Sequence, residues 1–313
     1  MGKAGSMRVL VAGGAGFVGG HVCEELLRRG HRVSVLDNMS SGRDSNIPDG
    51  AKLRARDITK WRDVEEVVEE FRPEVIIHLA AQADVVKSCE DPHTDAETNI
   101  IGLLNVLKSA TVFGVRRIVF ASSGGTVYGP RGPIPTPETT PLDPICPYGI
   151  SKAAGEWHLR HWAERNNREW VALRLGNVYG PRDRRGVVTK FARMRLRGEV
   201  PEVRNGRRDY VSVYDVAYAF CQAAEVAGAS GAYNVGGGRF GQKTQQVLWC
   251  VDEVLGTHDA PRTNAPLVQG EVPTCVLDSH RARDELFGLE YERRPFYVAR
   301  TVVWVREDEA KHV

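Results

Sequence analysis

Short apolar runs alternate with longer amphipathic stretches through the first 175 residues of the chain. Arg8–Ala12, His31–Asp37, Lys52–Ala55, Val75–Leu79, Arg116–Ser123 and Trp170–Leu175 read as strands, brief and bounded by glycine, proline or polar clusters. Between them, His21–Arg29 (stopped by Gly30), Trp61–Phe71, Thr98–Phe113 and Tyr148–Arg165 read as helices. Proline is well tolerated at the first helical position, so Pro147 opens the last of these. Gly129–Pro147 holds seven prolines and is predicted to be irregular. Alternation of this kind predicts an α/β fold built on a doubly wound parallel sheet. Beyond it the pattern loosens. Val187–Leu196, Val213–Glu225 and Gln245–Leu255 read as helices, Arg281–Phe287 as a short one, and Gly231–Val235 as a strand.

The 313 residues are enough for one large or two modest domains. We expect a dinucleotide-binding domain over residues 7–177 and a smaller α/β lobe over 178–313 that closes over a cleft. Elements at about 209–235 are expected to return to the main sheet. A net charge of +2 gives no reason to expect nucleic acid or an anionic membrane as partner. No apolar run approaches the roughly 20 residues needed to span a bilayer, and the polar Met1–Ser6 does not resemble a secretory leader. The six cysteines include no CxxC pair. Metal and disulfide roles are therefore not expected, and reduced thiols in a cytoplasm are.

The stretch Met7–Gly20, MRVLVAGGAGFVGG, carries the first chemical signal. A strand, then Gly13, Gly16 and Gly19, then a helix make the Rossmann-like corner that holds a dinucleotide pyrophosphate. The first glycine permits the turn, the second lets backbone amides approach the phosphates, and the third lets helix and strand pack closely. The following strand ends in Asp37, about twenty residues on, where a carboxylate accepts from the adenosine ribose hydroxyls. Its charge would repel a 2′-phosphate, which favours NAD over NADP.

Tyr148 and Lys152 lie four apart at the start of a helix and share a face. A phenol near pKa 10 is a poor base at neutral pH. An ammonium roughly 4 Å away, at an effective dielectric near 20, contributes about 4 kcal/mol, enough for about three pKa units before desolvation subtracts. Such a tyrosine can take a proton from a sugar hydroxyl as hydride leaves for the dinucleotide. Ser122, Ser123 and Thr126 stand at the C-terminal end of a predicted strand, the edge where parallel sheets bind ligands. A hydroxyl there could bond the reacting oxygen. His78 is at least as well explained as a satisfied, partly buried polar residue.

These motifs resemble the extended short-chain dehydrogenase/reductase family, in its NAD-dependent nucleotide-sugar epimerase/dehydratase branch. The resemblance runs from GGAGFVGGH through Asp37-Asn38, Asp57-Ile58, HLAAQ, Asn99, SSGGTVYG, YGISK, RLGNVYGP, RRDYVSVYDV and YNVGGG to GEVPTCVLD. It implies NAD contacts at Gly13, Gly16, Phe17, Val18, Asp37, Asn38, Asp57 and Ile58. Further ones are implied at Leu79, Ala80, Ala81, Gln82, Asn99, Ser122, Tyr148 and Lys152. For a nucleotide-sugar substrate it implies Ser123, Thr126, Tyr148, Asn177, Val188, Arg208, Glu271 and Cys275. Arg208 suits a diphosphate chemically, with a structural pairing to Asp209 as the plainer alternative. Cys275 would line the sugar pocket and leave room for a 2-N-acetyl group, or else pack behind the pocket as a small apolar residue. The implied activity is inversion at C4 of a UDP-hexose of the glucose/galactose type through a transient 4-keto sugar. A homodimer through the Asn99–Phe113 and Tyr148–Arg165 helices is implied as well.

Two departures matter. Gly124 stands at the family's usual catalytic serine or threonine, so Ser123 or Thr126 must supply the hydroxyl, and Ser123 is the preferred choice. Val268 replaces an arginine that grips phosphates in many relatives. Gly125 and Thr126 occupy the places of the acid pair that sugar 4,6-dehydratases need, which fits epimerisation. The alternatives are a UDP-glucuronate 4-epimerase, with Arg184 on a sugar carboxylate, or a nucleotide-sugar 4-ketoreductase. A non-catalytic dinucleotide sensor is the reading from another class.

Overall fold

The computed structural model describes residues 5–237, 241–267, 271–287 and 298–311. The predicted strands appear as β1 (Arg8–Ala12), β2 (Arg32–Asp37), β3 (Lys52–Ala55), β4 (Val75–His78), β5 (Arg117–Ser123) and β6 (Glu169–Leu175). Short strands follow: β7 (Asn177–Tyr179), β8 (Glu202–Arg204), β9 (Arg207–Arg208) and β10 (Tyr210–Ser212). After these come β11 (Gly231–Val235), β12 (Gln242–Lys243) and β13 (Thr263–Ala265). Seven of them form one parallel sheet in the order β11-β6-β5-β4-β1-β2-β3. The order reverses beside β1, and there a crevice opens at the strands' C-terminal ends.

Helices cover both faces, as continuous apolar strands require. The first half contains α1 (Phe17–Arg28), α2 (Trp61–Phe71), α3 (Val85–Glu90), α4 (Pro92–Ala96), α5 (Gly102–Val112) and α6 (Pro147–Asn166). The second contains α7 (Val187–Leu196), α8 (Val213–Glu225), α9 (Thr244–Leu255), α10 (His280–Ala282) and α11 (Val298–Ala310). One core lies under α1 and α8, with Val22, Leu26, Ala217 and Phe220 fully or nearly fully buried against Val9, Val11 and Val35. The opposite core lies under α2, α5 and α6, where Val64, Val68, Leu103 and Leu159 meet Leu10, Ile76 and Phe120. A third packs α7, α9 and α11 around Phe191, Val247 and Val302. Among the described residues no helix is long and apolar enough to cross a membrane.

Several elements differ from the sequence expectation. α1 starts at Phe17, four residues before the expected His21, because Gly19 and Gly20 are absorbed into the helix. The helix expected from Thr98 begins instead with a π-helical turn, Glu97–Ile101, that leads into α5. α3, α4 and α11 were not predicted. α4 opens on Asp91-Pro92, where the Asp91 carboxylate accepts from the Thr94 amide. The segment Arg281–Phe287 divides into the end of α10 and a π-helical turn, Arg283–Phe287.

Beneath the sheet's C-terminal edge, a buried ion pair joins α6 to β6. Arg174 donates from Nη2 to Glu156 Oε2 at 2.7 Å and from Nη1 to the Tyr128 hydroxyl at 2.7 Å. Both partners are nearly inaccessible. Burial alone would depress the Arg174 pKa, but its hydrogen bonds and charge pairing with Glu156 hold it above the ordinary value.

Two outcomes follow for stability. A Cβ on Gly19 would overlap the Gly13 carbonyl oxygen. Gly19→Val should therefore cost about 1–3 kcal/mol of unfolding free energy or more, and an unchanged urea midpoint would contradict the close approach. Arg174→Met strands the Glu156 carboxylate and should cost about 3–5 kcal/mol. A loss under about 1 kcal/mol in urea melts would show that the pair contributes little.

Candidate active site

The glycine turn connects β1 to α1 at the point where the crevice opens. Gly13 has φ +84°, and a Cβ there would lie 2.5 Å from the Ala80 nitrogen, so the turn and the β4 strand end share one tight space. Leu79 and Ala80 both donate their amides to the Ala12 carbonyl, at 2.8 and 2.9 Å, which brings 79–81 alongside the turn. Gly16 is the N-cap of α1, and no side chain caps the helix or places an acid in its first turn. The first-turn amides of Phe17 and Val18 thus stand at an uncapped, positive helix end, which fits a pyrophosphate.

Asp37 is buried at the end of β2, where its carboxylate accepts from the Ala15 amide (3.0 Å) and the Met39 amide (2.9 Å). Burial pushes its pKa up against those two bonds. Each oxygen keeps a lone pair, enough for two ribose hydroxyls. Asn38 donates to Asp57 at 3.2 Å, and Thr59 donates to Asp57 from its amide and its hydroxyl. Burial raises the Asp57 pKa, but these bonds outweigh it and hold the carboxyl below the usual range. Ile58 packs its side chain over Gly102. Residues 13–18, 37–38, 57–58 and 79–82 therefore rim one crevice.

Asn99 lies in the π-helical turn and is nearly inaccessible. Its oxygen accepts from the Gln82 amide at 2.9 Å. Its nitrogen donates to the Gln82 carbonyl and to Asp95 Oδ1, both at 2.9 Å. Both its N–H groups are thus committed, and only an oxygen lone pair faces outward. The Gln82 side chain is also committed, to Asp84 and Asp95. The Gln82 side chain thus shapes the loop, and its backbone is bonded to Asn99.

Helix α6 brings Tyr148 and Lys152 to the same edge. Lys152 is 3 % exposed, with its ammonium 5.6 Å from the Tyr148 ring centre and 4.9 Å from that of Phe120. Burial lowers the Lys152 pKa to about 8, with Asp95 pulling the other way. Burial raises the Tyr148 pKa, opposed by a hydrogen bond with Ser123. Burial is thus the larger effect on the phenol here, the subtraction expected against the lysine's pull. His78 is buried, stacks on Phe120 and is held neutral, its pKa lowered to about 3 by burial and then by Lys152.

The two serines of β5 part company. Ser122 is buried and its hydroxyl is committed to Glu156. Successive strand residues point to opposite faces, and Ser123 meets Tyr148. Thr126 is buried beside them, and its hydroxyl has no hydrogen-bond partner among the described residues. Gly124 has no room for a side chain, since a Cβ would lie 2.5 Å from Leu277 Cδ1. Cys275 packs there too, its thiol donating to the Gly124 carbonyl at 3.4 Å.

Beyond Asn177 lies a cavity of about 270 Å³, lined by Arg185, Lys190, Arg204, Arg208, Tyr210 and Glu271 among others. Arg208 does not pair with Asp209. It donates to the Arg207 and Pro273 carbonyls, while the buried Asp209 accepts from the Gly237 and Leu277 amides. Glu271 pairs with Arg204 at 3.5 Å. Val188, expected at the substrate, is fully buried in the lobe core, and its neighbour Val187 lines the cavity. Arg184 pairs with Asp308 at 2.8 Å and lies against Trp304 rather than lining the cavity. Val268 lies outside the described residues.

Sequence reasoning missed Asp95 and Ser151, although Asp95 precedes Asn99 by one helical turn and Ser151 adjoins Lys152. That spacing was the available signal.

Comparison with known proteins agrees with this geometry. The UDP-glucose 4-epimerase of Mycolicibacterium smegmatis is 37% identical over 291 residues, covering 90% of this chain and 92% of that protein. The crystal structure of the Thermus thermophilus UDP-glucose 4-epimerase in complex with NAD superposes with a TM-score of 0.88 at 40% identity, covering 96% of this chain and 99% of that one. The Thermotoga maritima UDP-glucose 4-epimerase structure with UDP-glucose gives 0.89 at 36% identity, covering 97% and 100%. The model of the NAD dependent epimerase/dehydratase family matches residues 9–236, most of the chain and every element of the dinucleotide crevice, and the chain belongs to that family.

Proposed function

We propose that the chain is an NAD-dependent nucleotide-sugar 4-epimerase that inverts C4 of a UDP-hexose of the glucose/galactose type. The observation that carries this reading is the Ser123–Tyr148–Lys152 group, set between the glycine crevice and the arginine-lined cavity. NAD, held by the glycine turn and Asp37, would supply the reversible hydride chemistry at C4. The chain's own residues do the rest. Tyr148 takes the proton of the C4 hydroxyl and gives it back, Ser123 bonds the same oxygen, and Lys152 balances the phenolate charge. The uncapped end of α1 and the Asp37 carboxylate hold the dinucleotide. Arg208, with Arg185, Lys190 and Arg204 around the cavity, faces the substrate diphosphate.

A dehydratase needs further acid or base groups, and Gly125 and Thr126 supply no carboxylate. Arg184 is turned toward Asp308, which disfavours the uronate alternative. The reading includes a reducing, cytoplasmic setting and a homodimer. The supporting surface is the outer face of α5 and α6, where Trp157 is 64 % and Ile150 52 % exposed. Beside it a groove is lined by Leu104, Leu107, His161 and Trp162. Exposed apolar surface of this kind marks association sites.

Incubation with UDP-glucose should yield UDP-galactose at equilibrium, resolved by anion-exchange chromatography, with UDP-glucuronate turned over far more slowly. Tyr148→Phe should keep NAD and lose about 10²–10⁴-fold in turnover. Near-native turnover in that variant would sink the mechanism. By sedimentation the native protein should be a dimer and Trp157→Glu a monomer, and a native monomer at micromolar concentration would contradict the assembly.

A further inference from the structure

Among the described residues, Asp95 is the fully buried carboxylate that touches both halves of the catalytic crevice. It is wholly inaccessible on α4, and three side chains donate to it. Asn99 Nδ2 (2.9 Å) and Gln82 Nε2 (3.1 Å) reach Oδ1, and Ser151 Oγ (2.7 Å) reaches Oδ2. The first two belong to the wall of the dinucleotide crevice. The third belongs to α6, between Tyr148 and Lys152. A buried carboxylate is costly unless hydrogen-bonded and opposed by a cation. Packing an apolar residue here would be simpler, so the charge calls for a counter-ion.

The buried cation beside its Ser151 partner is Lys152, which feels the Asp95 charge at longer range than a direct ion pair. Among the described residues, the groups facing it are few. From β4 comes His78, which is neutral, and from β5 the Phe120 ring. Its own helix contributes Tyr148 one turn before and Glu156 one turn after, the latter committed to Arg174 and Ser122. From α4 comes Asp95, the charge that counters the desolvation of the ammonium.

We propose that Asp95 is a positioning residue for the reaction. Its carboxylate ties the Gln82–Asn99 wall to helix α6 and supplies the negative charge facing Lys152. Without it, Lys152 would lose its proton at a lower pH and leave the Tyr148 phenolate without a neighbouring cation. This inference rests on the function proposed above, but its main readout does not need turnover.

The test is competitive acetylation of Lys152 by acetic anhydride between pH 6 and 10, quantified by peptide mass spectrometry. It is applied to the native protein, Asp95→Asn and Ser151→Ala. Asparagine can keep its oxygen toward Asn99 and Gln82 and turn its amide to the Ser151 hydroxyl, so the fold is retained, which circular dichroism checks. We expect the midpoint to fall by about one unit in Asp95→Asn and to stay in Ser151→Ala, which keeps the charge. With UDP-glucose, Asp95→Asn should lose at least tenfold in kcat with KM little changed, since Asp95 does not line the sugar-nucleotide cavity. An unmoved midpoint in folded Asp95→Asn overturns the inference, as does an equal shift in Ser151→Ala. A shifted midpoint in a protein inactive on UDP-glucose would leave the inference standing and fell the functional reading instead.

Discussion

The structure depends on how near the turn after β1 comes to its neighbours. Gly13 adopts a left-handed backbone with Ala80 against it, and Gly19 packs α1 onto that same turn. A side chain at either position would push the helix or the β4 strand end outward. Everything that reads the dinucleotide is positioned from there. Asp37 is fixed by the Ala15 amide of the turn, and residues 79–81 by the Ala12 carbonyl that ends β1. The binding crevice is thus a consequence of backbone contact, and the side chains refine it.

The chemistry lies two strands away, at the end of β5, and is governed by burial. Lys152 is buried and Tyr148 half-buried, and loss of solvent opposes charge on each of them. A proton can move between a sugar hydroxyl and this phenol only if the charges created are balanced within the crevice. In the proposed mechanism Lys152 and the buried Asp95 contribute to that balance. Beside them His78 is held neutral, and Glu156 is spent on Arg174.

The sheet and the glycine corner were legible because their signals are local. Apolar runs, glycine spacing and an acid at the end of β2 need no tertiary information. The catalytic helix was legible because Pro147 marks its start and the four-residue spacing places Tyr148 and Lys152 on one face. What escaped was set by long-range packing. α11 is recognisable only once α7 and α9 are there to receive Val302 and Val305. The choice between Val187 and Val188 turns on the rotation of α7, which its two adjacent valines leave open. Ser122 and Ser123 differ only in which face of β5 they occupy, and Glu156, 34 residues on, decides it. Asp95 looked like one more polar residue in a polar stretch, because its partners Gln82, Asn99 and Ser151 converge only in the fold.

The central claim is that the hydrogen taken from C4 of the sugar is held in the crevice and put back on the same carbon. UDP-glucose carrying deuterium at C4 tests it most directly. After equilibration in ordinary water, mass spectrometry and proton NMR should find the label retained at C4 of both UDP-glucose and UDP-galactose, with no added dinucleotide reduced. Loss of the deuterium to solvent, or its appearance in a free dinucleotide pool in proportion to product, would contradict the account.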